Sequence, residues 1–105
     1  MDDLYKALGH PVRRKILQLL RRRAHSAGEL AEEFEIAKPT LSGHLNILKN
    51  ADLVTVERRA TTLIYRLNMS VAEELIENVL GLLNITATDA TDRTAQPAET
   101  ETKDD

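Results

Sequence analysis

Between positions 38 and 54 the chain reads KPTLSGHLNILKNADLV, and the residue types in this stretch suit contact with a nucleic acid. Lys38, Pro39 and Thr40 open it with a cation, a helix-starting ring and a hydroxyl. With the free backbone N–H groups of a helix start, such a set can hold a phosphate, although ordinary capping and solvation would use the same residues. Ser42, Gly43 and Asn46 follow. An Asn amide can pair in a bidentate manner with adenine, and a glycine lets the backbone approach base edges, whereas a merely tolerated helix glycine costs about 1 kcal/mol against Ala. His44 lies on the flank, where a phosphate contact and a buried structural hydrogen bond are equally open. A second group, Arg58, Arg59, Thr61 and Thr62 within ERRATTLIYR, offers cations and hydroxyls to phosphates or to a minor groove.

The elements that must position these groups follow from periodicity. At about 100° per residue, Leu41, Leu45 and Leu48 form one stripe of a helix, and Pro39, Ser42, Gly43 and Asn46 fall on or near the opposite side. A helix with one face of short side chains fits a B-DNA major groove. Upstream, α1 is expected over 3–9, with Leu4 and Leu8 four apart. Next comes α2 over 11–22, opened by Pro11, with Val12, Ile16, Leu19 and Leu20 inward and Arg13, Arg14 and Lys15 mostly outward. After a connector at 24–27, Ser26 and Glu29 form a capping box for α3, over 27–34, and a turn at 35–38 leads to α4 from Pro39. Two short helices so joined make a helix-turn-helix. The runs 53–56 and 62–67 favour β structure and pair as a hairpin across 59–61, a turn without Gly or Asn.

A last helix, α5, is expected over 70–83 with Ser70 as its cap and Glu73 three residues on. Its apolar residues Val71, Leu75, Ile76, Val79, Leu80, Leu82 and Leu83 exceed one stripe. Together with α1 they predict burial against a second copy, through Leu4, Leu8, Leu75, Val79 and Leu82.

The 105 residues suffice for one domain, and the absence of cysteine removes disulfides, thiolate zinc sites and cysteine nucleophiles. The net charge of −3 divides unevenly. Residues 84–105 hold six acids against Arg93 and Lys103, whereas 38–66 hold five cations against Asp52 and Glu57. The division gives a folded domain over 1–83 with a basic face, and an acidic tail over 84–105 expected to be disordered. The N-terminus has neither a basic leader nor an apolar run, and no segment approaches a membrane span, so a soluble cytoplasmic protein without membrane insertion is expected. No nucleophile–base pair, carboxylate dyad or glycine-rich phosphate loop is present, which argues against an enzyme. His25 and Glu29 lie four apart, but one imidazole and one carboxylate fall below a metal-site complement, so neither metal nor cofactor is expected.

LGHPVRRKILQLL and LSGHLNILKNADLV, at this separation and followed by a basic hairpin, resemble the two signatures of the ArsR-type winged-helix bacterial repressors. The likeness covers residues 4–83. It implies a mostly α fold with a small β-hairpin, a winged helix-turn-helix in the order α1-α2-α3-α4-β-hairpin-α5. It also implies a homodimer joined through the first and last helices, binding a palindromic operator on double-stranded DNA and repressing transcription. Arg13 and Arg14 match the family motif, where such positions serve surface or intramolecular ion pairs. Metal-sensing members carry a cysteine pair on α3 or His and Asp ligands on α5; here those stretches read SAGELAEEF and SVAEELIENVLGLL. The chain instead looks most similar to the SdpR-like autorepressor branch, which lacks metal ligands and for which the resemblance implies an inducing protein partner at the membrane. The competing reading is a winged-helix protein–protein interaction module. Such a wing would expose aromatic or aliphatic side chains, whereas paired arginines beside threonines suit phosphate.

Overall fold

In the computed structural model, which describes residues 1–86, α2, α3 and α4 begin where the sequence supplies start signals. The order is α1 (Asp2–Ala7), α2 (Pro11–Arg22), β1 (His25–Ser26), α3 (Ala27–Glu32), α4 (Lys38–Asn50), β2 (Val54–Arg59), β3 (Thr62–Leu67) and α5 (Met69–Leu82). Beyond residue 86, the expected acidic tail lies outside the described residues. Two compact units divide the chain, residues 1–72 and the segment from Glu73 onward.

In the first unit Pro11 starts α2, and the residue before it does more than interrupt α1. His10 is the N-cap, its Nδ1 accepting from the Val12 N–H at 3.1 Å. Ser26 and Glu29 form the expected capping box, at 3.0 Å and 2.9 Å. The core gathers Ile16, Leu20, Leu30, Leu41, Leu45, Leu48, Leu53 and Val54, all at or below 4% exposure, so the stripe expected on α4 is the buried one.

The chain leaves α4 through a left-handed residue, Asp52 at φ 63°. Leu53 N–H donates to the Leu48 carbonyl at 3.1 Å and Asp52 N–H to that of Lys49 at 2.9 Å, the paired bonds that close a helix C-terminus. Two apolar residues, Leu48 and Leu53, are buried at the same corner.

Two features of the sheet depart from expectation. First, His25 and Ser26 are not a plain connector: they pair with Tyr65 and Ile64, giving a three-stranded antiparallel sheet in the order β1-β3-β2. Two residues are too short to show an alternation, so this strand has no local signal. Second, β2 runs on to Arg59, which pairs with Thr62, so the loop is only Ala60 and Thr61. Ala60 takes φ 58°, the positive value that primed hairpin turns require at their first position.

The start of α5 is also corrected. Its first turn is held by Asn68 rather than Ser70: Asn68 Oδ1 accepts from Val71 N–H at 3.4 Å, and its carbonyl from Ala72 N–H at 3.0 Å. In the second unit the chain leaves α5 through Asn84 at φ 59°, two residues past the helix, with Ile85 N–H on the Leu80 carbonyl at 2.8 Å.

Candidate nucleic-acid interface

Pro39 occupies the first turn of α4, and the residue before the helix, Ala37, offers no side-chain cap. The N–H groups of Lys38 and Thr40 therefore face outward unopposed by a capping side chain, with the partial positive charge of a helix start. Lys38, Pro39, Thr40, Ser42, Gly43 and Asn46 are all exposed. A Cβ built at Gly43 would meet nothing within 4 Å, so no contact inside the chain requires glycine there.

His44 stands apart from this set. It is half-buried; Arg13 Nη1 donates to its Nδ1 at 3.0 Å, and its ring lies 4.3 Å from that of His10, tilted by 49°. Arg13 was expected to face outward and is instead 7% exposed. Its Nε donates to the Ala7 carbonyl and its Nη2 to the Lys6 carbonyl, each at 2.9 Å, so one guanidinium ties the end of α1 to the middle of α4. Sequence reasoning missed this because His44 is 31 residues from Arg13, and the Ala7 and Lys6 carbonyls are backbone groups that no residue pattern marks. Arg14 does stay outside, donating to the Leu8 carbonyl at 2.6 Å.

Burial first, then the positive fields of His10 and Arg13, hold the His44 imidazole below its ordinary value of 6.5. The unfolded imidazole therefore takes up a proton at a higher pH than the folded one. Between those two values the unfolded state binds more protons, so the stability supplied by His44 is complete above 6.5 and is lost on acidification. Urea midpoints should fall between about pH 7.5 and about pH 5.5, and the fall should shrink in His44→Gln. An unchanged pH dependence in the variant would contradict this assignment.

Strand parity separates the two wing arginines. Side chains alternate across a strand, so Arg58 shares a face with Val54 and Val56, and by register with Leu63 and Tyr65. Arg59 lies on the other face with Glu57, whose carboxylate accepts from Arg66 at 2.7 Å and from Arg59 at 3.2 Å. Those two bonds, Arg66 first, hold the Glu57 carboxyl below the usual range. Arg58 has no ion-pair partner among the described residues; Thr61 and Thr62 are exposed, and Thr62 shares the face of Arg59 by register. Lys38 and Ser42 of α4 line a cavity with Leu63 and Tyr65 of β3, so the helix start lies alongside the face that carries Arg58. Arg58→Ala should therefore flatten the salt dependence of DNA binding by about one phosphate contact, and Arg59→Ala by less; equal losses would refute the distinction.

The residues expected at a subunit contact divide as well. Leu4 and Leu75 are buried within the chain, Leu8 and Val79 are half-buried, and Leu82 is 70% exposed. Beside Leu82, Ile76 and Leu83 are 57% and 59% exposed. His25 and Glu29 are occupied locally, His25 Nδ1 donating to the Arg23 carbonyl at 2.9 Å and Glu29 serving the capping box. Among the described residues no group of three or more His, Asp or Glu gathers as metal ligands, and no helix is long and apolar enough to cross a membrane.

A buried-stripe helix with a short-chained outer face, preceded by a capped helix and followed by a basic hairpin, defines a winged helix-turn-helix DNA-binding protein. A helix-turn-helix domain family matches residues 8–57. The transcriptional repressor SdpR of Bacillus subtilis (strain 168) is 42% identical over 84 residues, which cover 80% of this chain and 93% of that protein. Among solved structures, an ArsR-like transcriptional regulator from Rhodococcus sp. RHA1 superposes with a TM-score of 0.68 at 25% identity, covering 98% of this chain and 92% of that one. The transcriptional repressor BigR from Xylella fastidiosa superposes with a TM-score of 0.62 at 32% identity, covering 77% and 83%. The chain belongs to the ArsR family of winged helix-turn-helix transcriptional repressors, a DNA-binding and non-enzymatic family.

Proposed function

We propose that this chain is a metal-independent autorepressor that binds a palindromic operator as a homodimer. The observation that carries the DNA reading is the open outer face of α4, where Ser42, Gly43 and Asn46 follow an N-terminus without a side-chain cap. Exposed Ile76 and Leu82 of α5, with Leu83 just after it, support the dimer, because large apolar side chains left in water gain by burial against a second copy. A two-fold dimer reads a two-fold site, with recognition helices in successive major grooves about 34 to 36 Å apart. Metal independence is supported by the absence of cysteine and by the local hydrogen bonds that already engage His25 and Glu29.

The test is a titration of the full chain on its own promoter and on a scrambled duplex at two salt concentrations, with and without a chelator. The expected result is a salt-dependent preference of at least about a thousandfold for the promoter, unchanged by the chelator. Equal, weak binding to both duplexes would overturn the autorepressor reading, and a chelator-sensitive affinity would overturn metal independence.

A further inference from the structure

Between α3, α4 and β3 lies a cavity of about 190 Å³. Leu41, Leu45, Leu63 and Ala31 supply apolar wall, and three polar groups border it: Lys38, Ser42 and Tyr65. Tyr65 is 8% exposed, and its phenol oxygen has no hydrogen-bond partner among the described residues. No buried side-chain oxygen or nitrogen in the described residues is sealed without a partner, so this oxygen keeps some access to open space, and Tyr65 is one of the residues that line this cavity. The Lys38 ammonium is likewise free of any ion pair among the described residues.

A phenol donor and an ammonium at one apolar cavity match a carboxylate carried on a hydrophobic body. Burial pushes the Tyr65 phenol up from its ordinary value, so it keeps its proton and can only donate to an anion at neutral pH. A dry cavity of about 150 Å³ holds a benzene ring, so this slightly larger one suits a body of about six to nine heavy atoms. We infer that the cavity between α3, α4 and β3 binds a small apolar monocarboxylic acid, with the carboxylate on Tyr65 Oη and Lys38 Nζ.

Lys38 and Ser42 belong both to this cavity and to the face of α4 proposed to meet DNA. An acid seated there takes Lys38 away from phosphate and places a negative charge beside the groove-facing helix. Occupancy and DNA binding are therefore antagonistic. This second step rests on the DNA reading above; the site itself does not.

The two are separable in one experiment. The isotopically labelled full chain is titrated with benzoate, with hexanoate and with benzyl alcohol, which keeps the ring and lacks the charge, and amide shifts are followed. Saturable shifts centred on Ala31, Leu41 and Tyr65 are expected for at least one of the acids, with benzyl alcohol at least about tenfold weaker. Tyr65→Phe and Lys38→Gln should each weaken the acid about tenfold, the scale of one lost charge-assisted hydrogen bond. Lys38 is exposed, so its variant keeps the fold whatever the effect of changing Tyr65. Absence of saturable shifts with both acids at about 10 mM, well above the 1 mM scale of a weak complex, would overturn the site. So would shifts centred elsewhere, or affinity indifferent to both substitutions. Acid that binds in the cavity without lowering duplex affinity in a parallel titration would retain the site and overturn the antagonism.

Discussion

Replacing Arg13 by Ala should cost about 3 kcal/mol of stability and lower Tm on the order of 15 °C. The guanidinium is 7% exposed and makes three hydrogen bonds, to the carbonyls of Ala7 and Lys6 and to His44 Nδ1. It has no carboxylate partner among the described residues, so its charge is compensated by the carbonyl end of α1, where the peptide dipoles favour a cation. Removing it leaves the Ala7 carbonyl and an imidazole nitrogen short of a donor in a partly dry corner, while the Lys6 carbonyl keeps the Gly9 N–H at 2.9 Å, and an unsatisfied buried polar group costs about 1 to 3 kcal/mol by itself. Lysine should recover little, because a compact ammonium does not span the three directions of the fork. Arg14→Ala is the control: exposed and making one bond, it should change stability by no more than about 0.5 kcal/mol. Urea or thermal unfolding decides the matter, and a loss below about 1 kcal/mol for Arg13→Ala would mean that water replaces the guanidinium at no great cost.

The second large effect is expected at Gly43, and it separates folding from DNA binding. A Cβ there meets nothing within 4 Å, and glycine in a helix interior is worth about 1 kcal/mol less than alanine. Gly43→Ala should therefore raise Tm while lowering affinity for DNA. Gly43→Glu should fold at least as well as the parent, yet bind DNA at least about a hundredfold more weakly, since a carboxylate pressed toward phosphates costs several kcal/mol. Retained affinity in Gly43→Glu would show that another surface meets the duplex.

Much of this arrangement was legible in the sequence because it is local. Pro11, Pro39 and the Ser26–Glu29 box mark their helix starts, and the spacing of Leu41, Leu45 and Leu48 named the buried side of α4. What local patterns could not carry is pairing at a distance. Arg13 looks like a surface cation until His44, far along the chain, is brought beside it. His25 and Ser26 look like connector until β3 presents an unpaired edge. The separation of Arg58 from Arg59 required the register of the hairpin, which a turn without Gly or Asn did not disclose, because Ala60 adopts the positive φ those residues usually supply.

Leu53 is fixed three times over: its N–H on the Leu48 carbonyl, its carbonyl receiving Asn68 N–H at 2.8 Å, and its side chain 1% exposed. It is the joint between the helix and the hairpin, so neither can swing independently when a duplex arrives. Calorimetry of the complex should then show a heat-capacity change proportional to the contact surface alone, without the additional negative increment that accompanies a segment ordering on its target.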